Sequence, residues 1–299
     1  MNAERTILLL DGATGTELGR RGVDISLPLW SAHAILEAPQ ILEAVHRDYL
    51  EAGADMITAN TFRTHRRSLA KVGPDLGDRA RELTHRAVEI AQRARDAVNP
   101  GARIVGSVAP LEDCYRPDLA PPLEACEAEH RELITHLLEA GIDGVLIETQ
   151  NCLREAGAAA RAAMELVKPP AFWMISFCTR SDGPPNILLS GETLTDILPS
   201  LTGAFSIGVN CVAAQAIEAQ IKLLRMLVPQ PVRISAYANI GKATPAGDWV
   251  CTDAIDPEIY SQYAARWVAA GATIIGGCCG TRPATIRALA RQLGKLPGA

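Results

Sequence analysis

The feature that most constrains this chain is an alternation of short β-rich runs with longer helical segments, repeated eight times. The predicted strands are Ile7–Asp11, Asp55–Asn60, Arg103–Ala109, Gly144–Glu148, Phe172–Cys178, Phe205–Asn210, Arg233–Asn239 and Thr273–Gly277. Helices are predicted at Pro39–Ala52, Asp78–Val98, Leu123–Ala140, Leu153–Val167, Ala214–Leu227 and Pro257–Ala270. Eight parallel βα units in 299 residues favour a closed barrel over an open doubly wound sheet. We therefore predict an α/β fold, with residues 1–299 forming one domain, a single (β/α)₈ TIM barrel.

The ends of the predicted helices support this alternation. Three helices end at a glycine that leads into an apolar strand, namely Gly53, Gly141 and Gly271. Glycine at that position permits the left-handed backbone conformation that terminates a helix. The fifth unit differs, because the loop Thr179–Gly191 delays its helix. Long loops after barrel strands commonly carry function.

Composition excludes several classes of protein. Hydrophobic residues make up 48% of the chain and charged residues 21%, a balance that supports a large core. The formal charge of −5 offers no basic field for nucleic acid. The apolar run 7–10 is too short for a signal sequence or a membrane span, so we expect a cytoplasmic protein without a membrane partner. Its cysteines should then remain reduced.

The ends of the predicted strands carry three cysteines. Active sites of such barrels lie at the carboxyl ends of the strands, where Cys211 follows the sixth strand and Cys278 and Cys279 follow the eighth. Three thiolates with an open fourth position are typical of a catalytic zinc site. The alternative for Cys278 and Cys279 is a pair of core thiols or a strained vicinal disulfide. Because all three cysteines are predicted at the same end of the barrel, we favour a zinc ion (Zn²⁺) bound by all three.

The remaining cysteines and the histidines show no ligand spacing. Five cysteines are interpreted as small buried hydrophobes or loop residues: Cys114, Cys126, Cys152, Cys178 and Cys251. The six histidines are interpreted as surface or helix-face residues: His33, His46, His65, His85, His130 and His136.

Five segments, in order, resemble the homocysteine S-methyltransferase family along nearly the whole chain. They are Asp11–Leu18, Ala54–Phe62, Ile147–Thr149, Gly208–Cys211 and Gly276–Thr281. The resemblance implies a (β/α)₈ barrel, with zinc held by the cysteines of the last two segments. It also implies that homocysteine binds through its thiolate to zinc and is methylated to methionine.

The resemblance further implies how the amino acid is held. Asp11 and Glu148 are expected near the ammonium group of homocysteine. A turn at a strand exit would offer backbone N–H groups to its carboxylate, through Gly12, Ala13, Thr14 and Gly15. The alternatives are a turn or cap role for Asp11 and a strand-end salt bridge for Glu148. Asn210 is placed with the substrate-binding residues and, like Asn239, is expected to orient the backbone or its neighbours.

The length of the chain and one of its segments bear on which methyl donor is used. The chain has no room for the folate and cobalamin domains of large methionine synthases, and segment Gly22–Ser31 resembles standalone family members that use sulfonium donors. We expect S-methylmethionine or S-adenosylmethionine, with Trp30 either stacking on the cation or packing. Arg63 replaces a tyrosine of relatives, which counts against betaine. The alternatives are a methyl-corrinoid or folate-linked partner protein, and a non-catalytic zinc- or thiol-binding protein.

Overall fold

A computed structural model describes residues 6–180, 183–243 and 249–296. Its main sheet has eight parallel strands, which are β1 Leu8–Leu9, β2 Met56–Ala59, β3 Arg103–Val108, β4 Gly144–Gln150, β5 Phe172–Phe177, β6 Ser206–Ala213, β7 Arg233–Asn239 and β10 Ile274–Gly277. Their order across the sheet is β1, β10, β7, β6, β5, β4, β3, β2. Two further strands, β8 (Gly241–Ala243) and β9 (Trp249–Cys251), pair antiparallel outside this sheet.

The sheet closes on itself between its first and last strands. Leu10 and Met56 form a parallel bridge beyond β1, and Asp11 N donates to Met56 O at 3.0 Å. The predicted single (β/α)₈ barrel is therefore confirmed. One consequence matters for function: the carboxyl ends of all eight strands meet at one mouth.

Helices surround the barrel on its outer side. Their bounds are α1 Thr14–Arg20, α2 His33–Glu37, α3 Pro39–Glu51, α4 Arg66–Ala70, α5 Pro74–Gly77, α6 Ala80–Val98, α7 Leu123–Glu139, α8 Leu153–Leu166, α9 Ala214–Leu227, α10 Pro257–Ala269 and α11 Pro283–Gln292. All six predicted helices are present, with ends shifted by at most two residues. Among the described residues, no helix combines the length and apolarity needed to cross a bilayer.

Two cores pack on either side of the strands. A cluster inside the barrel takes one side chain from most strands, including Met56, Val105, Leu146 and Met174. The larger cluster lies between the strands and the helices. Alternating strand residues point to opposite faces, so each strand supplies both cores. The three predicted glycines adopt the left-handed conformation at helix ends, with φ of 100° at Gly53, 81° at Gly141 and 113° at Gly271.

The fifth unit departs from the prediction. Between β5 and β6, the described residues contain two 3₁₀ turns, Leu194–Asp196 and Leu198–Ser200, where a delayed α-helix was expected. Leu188, Leu194 and Leu201 are nevertheless buried. Glycine and proline prevent a regular helix in this segment, so apolar side chains from irregular backbone cover the barrel there instead.

Candidate active site

A cavity of about 320 Å³ lies at the carboxyl ends of the strands. Its walls include Asp11 after β1, Glu148 in β4, Cys211 in β6 and Cys278 after β10. The site predicted from the strand exits thus coincides with a concave pocket, which is where barrel enzymes carry out their chemistry.

The three cysteines converge on one wall of this cavity. The sulfur atoms of Cys211, Cys278 and Cys279 all lie within 4.8 Å of one another, and the pair Cys211 and Cys279 is 3.7 Å apart. β10 ends at Gly277, so the two adjacent cysteines leave the strand pattern and turn to the same side. This trio forms a group that can hold a metal ion.

Cys211 reaches the trio through an unusual backbone. Its φ is 58°, a left-handed conformation rare for cysteine, and the pairing of β6 with β7 shifts register around it. The preceding residue, Asn210, is fully buried and stabilises this turn. Its Oδ1 accepts from Thr149 N at 2.9 Å and Ser176 Oγ at 2.7 Å, and its Nδ2 donates to Thr149 Oγ1 at 2.8 Å. Strain of this kind is kept where surrounding contacts fix it.

The two asparagines lie behind the trio. The side-chain amide of Asn210 hydrogen-bonds to β4 and β5, and Asn239 Oδ1 accepts from Cys279 N at 3.1 Å. These contacts fix the backbone around Cys211 and Cys279, which is the kind of orienting role expected for the two asparagines. Asn210 is buried behind the cavity wall, so direct contact with a substrate stays a prediction for that residue.

The thiols of the trio cannot all ionise without a cation. The pKa of Cys211 is held well below its ordinary value because Cys278 and Cys279 hydrogen-bond to its sulfur. The pKa values of Cys278 and Cys279 are raised, first by their hydrogen bonds with Cys211 and then by burial and by the charge of Cys211. A bound metal cation removes this repulsion, so the donor set fits a thiolate-binding metal.

Asp11 and Glu148 are the buried carboxyl groups of the cavity, whereas Asp113, which also lines it, is exposed. Burial raises the pKa of each buried group to about 7, against opposing hydrogen bonds. Thr58 donates to Asp11 from its N–H at 2.7 Å and its hydroxyl at 2.8 Å, and Ser107 Oγ donates to Glu148 at 2.5 Å. Among the described residues neither carboxylate has an ion-pair partner, which counts against the salt-bridge interpretation of Glu148.

The predicted turn and Trp30 also line the cavity, although Thr14 and Gly15 already belong to α1. The lining includes Gly12, Ala13, Thr14 and Gly15. A Cβ on Gly15 would lie 2.3 Å from the indole Nε1 of Trp30, so this close contact requires glycine. Trp30 therefore packs on this segment and also borders the cavity, while stacking on a cation stays a prediction.

Cys114 and Tyr115 line the cavity although neither was predicted as a site residue. Both lie in the loop between β3 and α7, and the hydroxyl of Tyr115 lies 3.0 Å from Cys211 Sγ. Cys114 is a loop residue as expected, but its place in the cavity was not foreseen. The available signal was position, because this segment follows the third strand exit.

Arg63 lines the cavity, whereas none of the histidines does. Arg63 Nη1 donates to Glu112 O at 2.9 Å, so it holds the same loop. His46 and His130 lie on buried faces of α3 and α7, and burial lowers the pKa of His46 to about 4. The prediction was wrong for His65, which is buried and caps α4 by accepting from Ser68 N at 3.3 Å.

Comparison with known proteins assigns the chain to a family. The family model described as homocysteine S-methyltransferase matches residues 8–293. A homocysteine S-methyltransferase of Escherichia coli (strain K12) is 34% identical, over 96% of this chain and 95% of the relative. A selenocysteine Se-methyltransferase of Brassica oleracea var. italica is 29% identical, over 95% and 88%.

A solved structure has the same architecture. The metallated form of the homocysteine methyltransferase MmuM from Escherichia coli superposes with a TM-score of 0.82 at 32% identity, covering 97% of each chain. The matches extend through the strand ends that bear the cysteine trio and the buried carboxyl groups. The chain therefore belongs to the homocysteine S-methyltransferase family.

Proposed function

We propose that this protein transfers a methyl group from a sulfonium compound to the thiol of homocysteine, giving methionine. The observation that carries the proposal is the convergence of three sulfur ligands and two buried carboxyl groups on one cavity. We also propose that residues 1–299 act as one homocysteine-binding domain, in a reducing compartment such as the cytoplasm, because the trio must stay reduced to bind a metal.

We propose zinc as the metal, held by Cys211, Cys278 and Cys279. Three soft thiolate donors suit this ion, and three protein ligands are the number found in catalytic zinc sites. When bound there, zinc would keep the substrate thiol deprotonated at neutral pH, which matters because the thiolate is the nucleophile. Asn210 and Asn239 hold the backbone that presents the sulfurs.

The carboxyl groups and the turn would recognise the amino-acid part of homocysteine. Asp11 and Glu148 are buried without an ion-pair partner among the described residues, so an ammonium group between them would offset their desolvation. The segment Gly12–Gly15 also lines the cavity, and no side chain among the described residues caps the first N–H groups of α1, whereas Ala13 N already donates to Thr281 Oγ1 at 3.1 Å. The first N–H groups of α1 would then donate to the substrate carboxylate.

Aromatic side chains in the cavity lining would contact the methyl donor. Trp30, Phe62 and Tyr115 all border the cavity, and aromatic faces attract cations such as a sulfonium. In-line attack of the thiolate on the methyl carbon breaks the carbon–sulfur bond of the donor, and a neutral thioether leaves. That leaving group needs no proton, so the site needs to supply orientation and proximity rather than a general acid.

A donor panel tests this function. The purified protein, loaded with zinc, is given homocysteine together with S-methylmethionine, S-adenosylmethionine, betaine or a methylated corrinoid protein. We expect S-methylmethionine to support methionine formation without cobalamin or a second protein. Activity with the corrinoid protein alone would favour a partner-dependent enzyme. Absence of methionine with every donor would favour a zinc- or thiol-binding protein.

The acceptor is tested in the same assay. A relative is named for selenocysteine methylation, so selenocysteine is compared with homocysteine at equal concentration. We expect a higher kcat/KM for homocysteine. A clear preference for selenocysteine would change the assigned acceptor but keep the methyl-transfer chemistry.

A further inference from the structure

Tyr115 reaches the metal-binding trio from outside the strands. Its hydroxyl lies 3.0 Å from Cys211 Sγ. A metal-bound cysteine sulfur has no proton, so the hydroxyl must be the donor once a metal is bound. We infer that Tyr115 is a positioning residue whose hydrogen bond makes the Cys211 thiolate less nucleophilic than the substrate thiolate, so that the methyl group goes to the substrate. This inference rests on the proposed function.

The loop that carries Tyr115 is anchored close to it. Leu111 N donates to the buried carboxylate of Glu155 at 2.7 Å, and Asn151 Nδ2 donates to Cys114 O at 3.0 Å. Both partners lie on or beside α8, one of the helices that surround the barrel. The position of Tyr115 is therefore set by the scaffold rather than by the side chain alone.

The site must direct the methyl group to the substrate thiolate and away from the Cys211 thiolate. Cys211 lines the cavity that would receive the donor, so its thiolate competes with the substrate thiolate for the same methyl carbon. Transfer to Cys211 would form a sulfur–carbon bond there, break that of the donor and release a neutral thioether, with no proton moved. The product would be an S-methylcysteine and a lost metal ligand. A hydrogen bond to a thiolate withdraws electron density and slows this side reaction.

Cys278 and Cys279 provide an internal reference. Their sulfurs have no hydroxyl donor among the contacts of the described residues, and Asn210 Nδ2 is 3.9 Å from Cys278 Sγ. Loss of the Tyr115 hydroxyl should therefore change the reactivity of Cys211 relative to these two within one protein.

The test uses the full chain loaded with Co²⁺, a spectroscopic probe for the metal site. Wild type, Tyr115→Phe and Asn151→Ala are treated with limiting methyl iodide, and methylated peptides are quantified by mass spectrometry. We expect the ratio of methylation at Cys211 to that at Cys278 and Cys279 to rise about tenfold in Tyr115→Phe. The sulfur-to-cobalt charge-transfer band should shift to lower energy.

Two controls keep the outcome decisive. Tyr263→Phe removes a hydroxyl that bonds to Asp253 at 3.0 Å on the surface, and it should leave ratio and band unchanged. Asn151→Ala, which frees the loop without touching Tyr115, should change both in the same direction as Tyr115→Phe.

Three results would overturn the inference. An unchanged ratio and band in Tyr115→Phe would remove any effect of the hydroxyl on Cys211. A cobalt-edge absorption spectrum showing the Tyr115 oxygen bound to the metal would assign it a different role. Failure of the wild type to bind Co²⁺, or to make methionine with any donor, would instead refute the proposed function on which the inference rests.

Discussion

The two ends of the barrel treat acidic side chains in opposite ways. At the amino end, Asp55 accepts a hydrogen bond from Leu9 N at 2.7 Å and pairs with Lys295 at 2.9 Å, so its charge is compensated. At the carboxyl end, Asp11 and Glu148 are buried without an ion-pair partner among the described residues, and burial raises the pKa of each to about 7. The first arrangement stabilises the fold. The second costs stability, and under the proposed function it provides the binding site for the ammonium group of homocysteine.

Substitutions in the cysteine trio provide the strongest test of the idea that the carboxyl end of the barrel serves function and the amino end serves stability. Replacing Cys211, Cys278 or Cys279 with alanine should deplete the metal and abolish methionine formation, because each is proposed to supply one of three ligands. The free energy of unfolding should change little, since a large core holds the barrel. Metal content per chain, activity and denaturant unfolding are measured together.

The control for the trio is a cysteine elsewhere in the chain. Cys251→Ala, at an exposed position, should keep full metal content and activity. A fully active protein without metal would contradict the proposed mechanism. So would X-ray absorption at the zinc edge that shows no added sulfur when homocysteine binds.

Glu148→Ala should have the next largest effect. Removing one charge-assisted hydrogen bond to the ammonium group should cost about 1.5–3 kcal/mol, which is roughly a 10- to 100-fold loss of homocysteine affinity. Zinc content should be unchanged. The matched variant Asp55→Ala, at the opposite end, should lower the free energy of unfolding but not the affinity. Calorimetry that finds equal affinities for Glu148→Ala and wild type would remove Glu148 from the substrate site.

The smallest effect concerns the dependence of stability on pH. Because the folded pKa of Glu148 is raised from 4.5 to about 7, the folded state binds more protons than the unfolded state between these values. Its ionisation therefore lowers stability as pH rises through that window. Glu148→Gln should gain about 2 kcal/mol in free energy of unfolding at pH 8 relative to its gain at pH 5. Denaturant titrations without substrate measure this difference, and an equal gain at both values would contradict the raised pKa.

Most of the barrel could be predicted because its signals are local. Periods of two and of 3.6 residues identify strands and helices, and glycine after a helix marks its end. The fifth unit escaped this reasoning, since the apolar residues Leu188 and Leu194 are buried by irregular backbone without helical periodicity. Cys211 illustrates another limit. Its position after the sixth predicted strand was evident, but its left-handed backbone depends on bonds from Asn210 to two other strands.

The sequence by itself determined the eight strands, the helices of all units but the fifth, the family and the cysteines at two strand exits, because each depends on residue types at short spacing. Only the tertiary structure decided which side chains share the cavity. Tyr115 and Cys211 are 96 residues apart, yet their side chains meet. Likewise, the raised pKa values of Asp11 and Glu148 arise from burial that exists only after the barrel has closed. Spacing along the chain predicts neither the contact of Tyr115 with Cys211 nor these pKa values. Loop anchoring sets the distance in the first case, and burial inside the closed barrel sets the local dielectric in the second.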